Sequence, residues 1–340
     1  MGTASTNRPA IAIIGFGKMV ELFHLPRLRK AGWNVAAAVD VTESRRACAS
    51  QMKVPFVCGT VKELLRNGPQ VQAALIGTHS AVRRTVTLPL VKQGIHLMIE
   101  KPLAASGREG EAICRDCEAA GVLLTVHHNR RWDPDFLNVR KVVASGFLGN
   151  VFHVENRYFA AESSYKFGAS DYNPEWRLTA SSAGGVMLDW GPHYVDQVLT
   201  LLSPETAGPV VSVFADVRNV RYGDADDHFM INLVFENGAR ALIGKTDICP
   251  LGPEHKWVVL GDKGSLLGYE PGDVKARNVK GKERSVTTRP RAADLLKNFR
   301  LAVEGEKDLL VTGRESLRTV KVFDAAFKSA KTRKSVSVNI

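Results

Sequence analysis

The chain of 340 residues carries a net charge of +11, and 44% of its residues are apolar while 24% are charged. Such a composition is typical of a soluble globular protein, and the length predicts two domains because a single core stops growing at roughly 250 to 300 residues. No membrane partner is expected, since no apolar run approaches the roughly 18 to 20 residues of a span. No nucleic-acid partner is expected either, because the basic residues near the C-terminus lack interleaved aromatics and a recognition motif.

The five cysteines are scattered and odd in number, which predicts no disulfide framework and favours a reducing, cytoplasmic location. Cys114 and Cys117 form a C-x-x-C within a helical pattern over residues 109–120. No second pair completes four zinc ligands. We therefore expect core cysteines and no bound metal.

The first 126 residues alternate short apolar runs with helical patterns, which predicts a parallel sheet with helices on both faces. The predicted strands are 10–14, 35–39, 71–76, 95–99 and 122–126. Residues 1–126 are thus expected to form a doubly wound Rossmann domain in an α/β fold.

From Val151 onwards the strands become longer and alternate apolar with polar residues, as over 229–235. Asn237-Gly238 supplies a hairpin turn between two such strands, and the alternation indicates an antiparallel sheet with one covered face. Residues 127–314 are therefore expected to form a substrate-binding α+β domain with a large, mostly antiparallel, open-faced sheet. The stretch 271–290 is polar and basic and is predicted to be a mobile loop.

Helical patterns complete this half of the chain. They are predicted near 134–144, 189–202 and 292–304, with a last helix over 315–330. The last helix is expected to pack back onto the Rossmann domain.

The first strand runs directly into Gly15-Phe16-Gly17-Lys18-Met19, where the glycines permit a tight turn and close approach of the backbone to a pyrophosphate. Val20 replaces the third glycine of that fingerprint. Asp40 ends the second strand, roughly 20 residues further on, where a carboxylate can accept hydrogen bonds from ribose hydroxyls and would repel a 2′-phosphate. NAD is therefore the expected cofactor, and Arg45-Arg46 nearby keep NADP possible.

In an open parallel sheet, ligands gather at the carboxyl ends of the strands. Thr78 and Glu100-Lys101-Pro102 lie at two further strand ends, so these residues are expected at the same edge as the glycine loop. Thr78 is equally compatible with a plain loop position.

From Glu100-Lys101-Pro102 onwards, the sequence resembles the Gfo/Idh/MocA family of sugar and cyclitol dehydrogenases. Asn129-Arg130-Arg131-Trp132-Asp133 matches members similar to scyllo-inositol dehydrogenase, and the run 184–197 resembles the family's catalytic helix entry. Three separated motifs that agree in order and spacing are more specific than any one. Val20 departs from the pattern, as does Arg83, which stands where a histidine is expected.

The resemblance implies a catalytic set, because oxidising a secondary alcohol needs a hydride acceptor and a base whose pKa lies near the working pH. It implies that His193 accepts the proton, that Asp189 orients the substrate hydroxyls and the imidazole, and that Lys101 polarises the reacting oxygen. The division between His193 and Lys101 stays open. Asp189 and His193 are four residues apart, on one face of a helix beginning near Asp189, although a helix N-cap and a core histidine would show the same spacing.

The resemblance also implies the binding residues. Trp176 and Arg177 are similar to family residues that close over the nicotinamide, although a buried tryptophan and a surface arginine are the simpler interpretation. The expected cofactor-binding residues are Gly15, Phe16, Gly17, Lys18, Met19, Asp40, Thr78, Glu100, Lys101, Trp176 and Arg177. The expected substrate-binding residues are Lys101, Asn129, Arg130, Asp189 and His193.

The implied activity is hydride transfer between NAD(P) and a secondary alcohol carbon of a sugar, sugar derivative or cyclitol. Two alternatives are a redox glycosidase that recycles its bound NAD and a non-catalytic regulator that binds dinucleotide or sugar. Family members commonly pair through the open sheet face, so a homodimer or homotetramer is expected.

Overall fold

The computed structural model describes residues 8–161, 175–269, 272–287 and 293–340. The chain divides into two compact units, one comprising residues 1–127 and 294–317 and the other residues 128–293 and 318–340. No helix in the described parts of the chain is long and apolar enough to cross a membrane.

The first unit is built on a six-stranded, all-parallel sheet. Its strands are β1 (Ala10–Ile14), β2 (Asn34–Val39), β3 (Phe56–Cys58), β4 (Ala73–Ile76), β5 (His96–Ile99) and β6 (Leu124–Val126). They are ordered β3-β2-β1-β4-β5-β6, as in dinucleotide-binding Rossmann folds, which confirms the predicted architecture. Only β3 has no counterpart among the predicted strands, because three residues are too few to show a periodicity.

Helices connect these strands. They are α1 (Leu25–Lys30), α2 (Glu43–Gln51), α3 (Val61–Asn67), α4 (Arg83–Val91) and α5 (Gly107–Ala119), and a π-helical turn, Val20–His24, precedes α1. Ser106 and Thr60 accept hydrogen bonds from the third residue of α5 and of α3, respectively, so both helices start at side-chain caps. Cys114 and Cys117 are buried in the α5 face that packs on the core, at 1% exposure each.

The second unit contains a nine-stranded sheet that is antiparallel except where β7 pairs with β10. Its strands are β7 (Val151–Phe159), β8 (Val210–Arg218), β9 (His228–Phe235), β10 (Arg240–Thr246), β11 (Trp257–Gly261), β12 (Gly264–Gly268), β13 (Val274–Asn278), β14 (Glu283–Val286) and β15 (Val336–Ser337). Phe229, Ile231 and Leu233 point into the core from β9 at 0% exposure, while the residues between them are partly exposed. The predicted open-faced sheet is therefore confirmed.

Helices cover the buried face of this sheet. They are α6 (Pro134–Ala144), α7 (Val186–Asp189), α8 (Gly191–Leu201) and α9 (Pro204–Ala207). Two further helices, α10 (Leu295–Val303) and α11 (Gly313–Thr332), follow β14 in the chain. The core of this unit includes Tyr194, Val195 and Val198 from α8 and Phe323 from α11.

Three predictions differ from the structure. The predicted helix 189–202 corresponds to α8, which begins two residues later than predicted, because the separate short helix α7 ends at Asp189 and Pro192 lacks the N–H that would continue it. The predicted mobile loop 271–290 contains the hairpin of β13 and β14, whose alternation of charged and small apolar residues hid the strands. Residues 271 and 288–290 lie outside the described residues.

The third difference concerns residues 294–317, which pack with the first unit rather than the second. The Trp33 indole N–H donates to the carbonyl of Leu296 at 2.9 Å, and the Thr125 hydroxyl donates to the carbonyl of Val311 at 2.7 Å. The division between the units falls inside α11, so that most of this helix groups with the second unit. These pairings join residues that are far apart in the chain and leave no local sequence pattern.

Candidate active site

The glycine loop leaves β1 in a conformation that Gly15 makes possible. Gly15 has φ +89°, and a Cβ there would lie 2.7 Å from the backbone N of Thr78. A Cβ at Gly17, in contrast, would meet no atom within 4 Å. The loop is therefore packed tightly at Gly15 and has open space at Gly17. This open space fits the close approach of a pyrophosphate. Phe16 is fully buried.

Val20 explains why the third fingerprint glycine is dispensable here. Its side chain is buried at 2% exposure, and a Cβ at Gly77 would lie 2.7 Å from Val20 Cγ2. The glycine that permits close packing of the first helix on the sheet thus lies after β4 instead of on the helix itself. The sequence did not single out Gly77, and its only signal was its position at the end of an apolar strand.

Asp40 holds the glycine loop through its carboxylate. Its Oδ2 accepts a hydrogen bond from the Phe16 N–H at 2.7 Å, and its Oδ1 accepts one from the Thr42 N–H at 2.8 Å. A carboxylate has about four lone-pair sites, so two acceptor positions remain for ribose hydroxyls. The residue thus fits the role expected from its spacing.

Thr78, Arg83 and Lys101 meet at the carboxyl edge of the first sheet. The Thr78 Oγ1 is buried with no hydrogen-bond partner among the described residues, as expected of a group that awaits a ligand. Arg83, exposed by only 3%, donates to the Thr78 carbonyl at 3.1 Å and to the Lys101 carbonyl at 3.4 Å. Burial lowers the pKa of Arg83 to about 10, against the opposing effect of Glu100. Arg83 therefore joins two strand ends, a role that the sequence did not predict.

Glu100 lies in a cluster with two histidines. Its Oε1 is 2.5 Å from His24 Nε2 and 3.1 Å from His127 Nδ1, while Oε2 accepts the backbone N–H of Lys101 at 3.2 Å. Burial alone would raise the pKa of Glu100, but His24 and His127 outweigh it and hold that pKa well below its usual range. The ligand atoms of the three side chains lie within 4.8 Å of one another, close enough to hold a metal ion. The hydrogen bonds satisfy the carboxylate without one.

In the second unit, Asp189 ends α7 and His193 lies in the first turn of α8. Both are buried, at 7% and 8% exposure. Trp190, not Asp189, is the N-cap of α8, which removes the capping interpretation of Asp189. Arg177 donates to Asp189 Oδ2 in a buried ion pair. The simpler interpretation of Trp176-Arg177 is wrong, since the tryptophan is 38% exposed and the Arg177 side chain only 11%.

Two glycines allow this arrangement. A Cβ at Gly184 would lie 2.6 Å from the Trp176 carbonyl oxygen, and Gly185 has φ +98° with Asp226 Oδ1 2.1 Å from its Cβ position. Asp226 then accepts the Met187 N–H at 2.7 Å. Burial, together with Asp227 and Asp247, raises the pKa of Asp226 to about 7 against the backbone hydrogen bonds.

Aromatic rings surround Trp190, the residue between α7 and α8. Trp190 stacks on Tyr158 and Tyr194 with centroid distances of 6.5 and 6.4 Å. Lys245, fully buried, lies over Trp190 and Tyr158 and forms an ion pair with Asp247. Burial lowers the pKa of Lys245, against the effect of Asp247. The sequence did not predict this buried lysine, because a lysine within a strand is not by itself a signal of burial.

The motif at the start of the second unit forms a short 3₁₀ turn, Asn129–Trp132. Arg130 lies 4.9 Å over the Trp190 ring, and its carbonyl accepts from Gln197 Nε2 at 2.6 Å. Arg131 forms a buried bidentate pair with Asp196, at 2.8 and 2.7 Å. Asn129 is exposed. Arg131 is thus the residue that anchors the motif to α8.

Comparison with known proteins agrees with this geometry. Residues 10–128 match the oxidoreductase family with an NAD-binding Rossmann fold, and residues 136–267 match the Gfo/Idh/MocA C-terminal domain. The chain is 25% identical to the scyllo-inositol 2-dehydrogenase (NADP(+)) IolW of Bacillus subtilis, over 96% of this chain and 95% of the relative. It is 24% identical to the 1,5-anhydro-D-fructose reductase of Ensifer adhaerens, over 96% and 97%.

Among solved structures, the fold matches an NAD-binding protein from Listeria innocua with a TM-score of 0.84 at 24% identity, over 97% of both chains. The predicted Rossmann domain and nicotinamide cofactor are confirmed by the family match. The chain belongs to the Gfo/Idh/MocA family and is an NAD(P)-dependent dehydrogenase.

Proposed function

We propose that the protein transfers a hydride between NAD(P) and a secondary alcohol carbon of a sugar, sugar derivative or cyclitol. The observation that carries this proposal is the edge of the first sheet, where the strand order places the ends of β1, β4 and β5 side by side with Gly15, Thr78 and Lys101 on them. The named activities of the two relatives, on an inositol and on an anhydro sugar, support the substrate class.

The nicotinamide supplies the hydride acceptor or donor, and the chain supplies the groups that handle the proton. We assign Lys101 to polarise the reacting oxygen and His193 to accept the hydroxyl proton. Asp189 orients substrate hydroxyls, and its ion pair with Arg177 fixes its carboxylate within the second unit. A substrate-orienting carboxylate held in one position removes part of the entropic cost of the reaction.

The binding residues follow from the same assignment. The backbone of 15–19 and the side chains of Asp40 and Thr78 would bind the dinucleotide, with Trp176 and Arg177 on the nicotinamide side. Both carboxylate oxygens of Glu100 are engaged within the first unit. Glu100 would therefore act on the cofactor indirectly, through the hydrogen bond that it accepts from the Lys101 N–H. Asn129, Arg130, Asp189 and His193 would contact substrate together with Lys101.

The test is the absorbance of NADH during incubation with NAD and a panel of inositols, aldoses and anhydro sugars. A His193→Asn variant should lose about 10²- to 10⁴-fold in kcat, the range of general base catalysis. His153→Asn, on a strand of the same unit, is the matched control. If the dinucleotide binds and no polyol is turned over, the dehydrogenase proposal fails and a regulator remains. If a glycoside is cleaved without net NADH, the protein is a redox glycosidase.

We further propose that two copies pair through the open face of the second sheet. Half-exposed apolar side chains lie there on adjacent strands, including Phe214, Met230, Val234 and Leu242. Exposed apolar side chains gathered on adjacent strands are typical of an interface. Sedimentation of the protein as a monomer at micromolar concentration would contradict the dimer, and Leu242→Lys should dissociate it.

A further inference from the structure

Arg45 lies beside the glycine loop and binds the same loop residue as Asp40, namely Phe16. Its Nε donates to the Phe16 carbonyl at 2.7 Å, while the Phe16 N–H donates to Asp40 Oδ2 at 2.7 Å. The two side chains therefore hold opposite sides of one backbone residue. In dinucleotide-binding folds, the carboxylate at this strand end binds the ribose 2′-hydroxyl of NAD, and a nearby arginine accommodates the 2′-phosphate of NADP.

Glu21, in the π-helical turn after the loop, binds a second nitrogen of the Arg45 guanidinium. Arg45 Nη2 lies 2.7 Å from Glu21 Oε2, and Lys18 Nζ lies 2.9 Å from Glu21 Oε1. The three side chains are only 12–23% exposed. Burial acts to raise the pKa of Glu21, but hydrogen bonds from Arg45 and Lys18 outweigh it and lower that pKa. One ionised carboxylate therefore neutralises both cations next to the loop.

We propose that Glu21 sets a preference for NAD over NADP by occupying the guanidinium that a 2′-phosphate would need. The proposal rests on dinucleotide binding at the glycine loop and does not depend on the substrate. A guanidinium binds either a carboxylate or a phosphate, so a 2′-phosphate would compete with Glu21 for the Arg45 charge and for its Nη2 donor. Glu21 and Asp40 would also repel the phosphate charge.

The other nearby arginine is engaged differently. Arg46 Nη1 donates to the carbonyl oxygens of Asp40 and Val41, at 2.9 and 2.8 Å. These acceptors are neutral and belong to the backbone, so a side-chain substitution cannot release Arg46. Among the described residues, Glu21 is therefore the carboxylate whose removal uncovers the Arg45 charge, whereas the Arg46 charge is the same in every variant.

The experiment measures the Kd of NADH and of NADPH by isothermal titration calorimetry, without substrate. The wild type should bind NADH more tightly than NADPH. Glu21→Gln keeps the size of the side chain and removes its charge, and it should shift the ratio of the two Kd values towards NADPH by about tenfold, the size of one charge-assisted hydrogen bond. The double variant Glu21→Gln/Arg45→Met should lose this gain.

Two further variants keep the proposal falsifiable. Arg45→Met alone should leave the ratio within about twofold of wild type, because Glu21 already occupies the guanidinium. Glu118→Gln removes a carboxylate from an exposed pair with Arg314 in the same unit and is the charge-matched control. An unchanged ratio in Glu21→Gln, a gain that survives Arg45→Met, or tighter NADPH binding by wild type would overturn the proposal. Failure of wild type to bind either dinucleotide would overturn the cofactor site itself, and absent turnover would not affect the result.

Discussion

The two sheets position functional residues in different ways. In the first unit, all strands are parallel, and the proposed site residues follow β1, β2, β4 and β5 directly, so their place at one edge follows from the strand order. In the second unit, the proposed catalytic residues lie on α7 and α8, over the covered face of a mixed sheet. Asp189 is held by its ion pair with Arg177, and α8 is anchored by the pair of Arg131 with Asp196, 65 residues apart.

The two arrangements should respond differently to substitution of their residues. A parallel sheet presents its strand ends by topology, so single changes there should alter chemistry with little loss of stability. A site braced by buried ion pairs depends on each partner, because removing one leaves the other charge buried and unpaired. The predictions below test this contrast, starting with the largest expected effect.

Lys101→Met tests the first unit. With the polarising ammonium removed, kcat should fall about 10³-fold or more, while the Kd of NADH and the midpoint of urea unfolding change little. Steady-state kinetics and calorimetry measure the two effects, and Lys92→Met, an exposed lysine after α4, is the control. Loss of folding in Lys101→Met would break the contrast between the units.

Arg131→Met tests the second unit in the same way. It leaves the Asp196 carboxylate buried without its bidentate partner and should reduce the free energy of unfolding by about 3–5 kcal/mol. Arg277→Met, which removes a partner from the exposed pair Arg277–Glu283, should cost only about 0–1 kcal/mol. Urea unfolding measures both, and equal losses would show that Arg131 does not brace α8.

Asp226 gives the second unit a pH dependence. Because its pKa is raised from 3.8 to about 7 in the folded state, the unfolded chain ionises first, and stability falls as the pH rises from about 4 to about 7. Asp226→Asn keeps an acceptor for Met187 N–H without the charge, and it should gain on the order of 3 kcal/mol relative to wild type across that window. Parallel unfolding curves for the two proteins between pH 4 and 8 would refute this.

Glycines in tight turns should respond alike in both units, because their constraint is local. Gly238 has φ +87° in the β9–β10 turn, and Gly121 has φ +65° after α5. Substitution of either glycine by alanine should reduce the free energy of unfolding by about 1 kcal/mol. Gly59→Ala, which has no positive φ and no contact closer than 3.8 Å, is the control. A much larger loss at Gly238 would show that this turn also bears on the packing of the second sheet.

The sequence predicted the elements whose signals are local. The first strand, 10–14, and helix α6, 134–144, have the predicted bounds, because an apolar run and an amphipathic period are written in adjacent residues. The hairpin at Asn237-Gly238 was equally evident, since only a few residue types accept a positive φ. The same locality revealed Gly15, Asp40 and Lys101, which lie at strand ends.

The tertiary structure decided what locality cannot. Gly77 replaces the third fingerprint glycine because it lies against the Val20 side chain of the π-helical turn, and residues 294–317 join the first unit through hydrogen bonds with Trp33 and Thr125. Glu100 faces His24 and His127, and Lys245 is buried beneath Trp190, pairings between residues far apart in the chain. The glycine loop together with Asp40 predicted a dinucleotide site, whereas the partners of the charged side chains around the loop depend on which residues meet in space. Burial strengthens each such pairing, and the apolar periods of the sequence do not record which polar side chains are buried together.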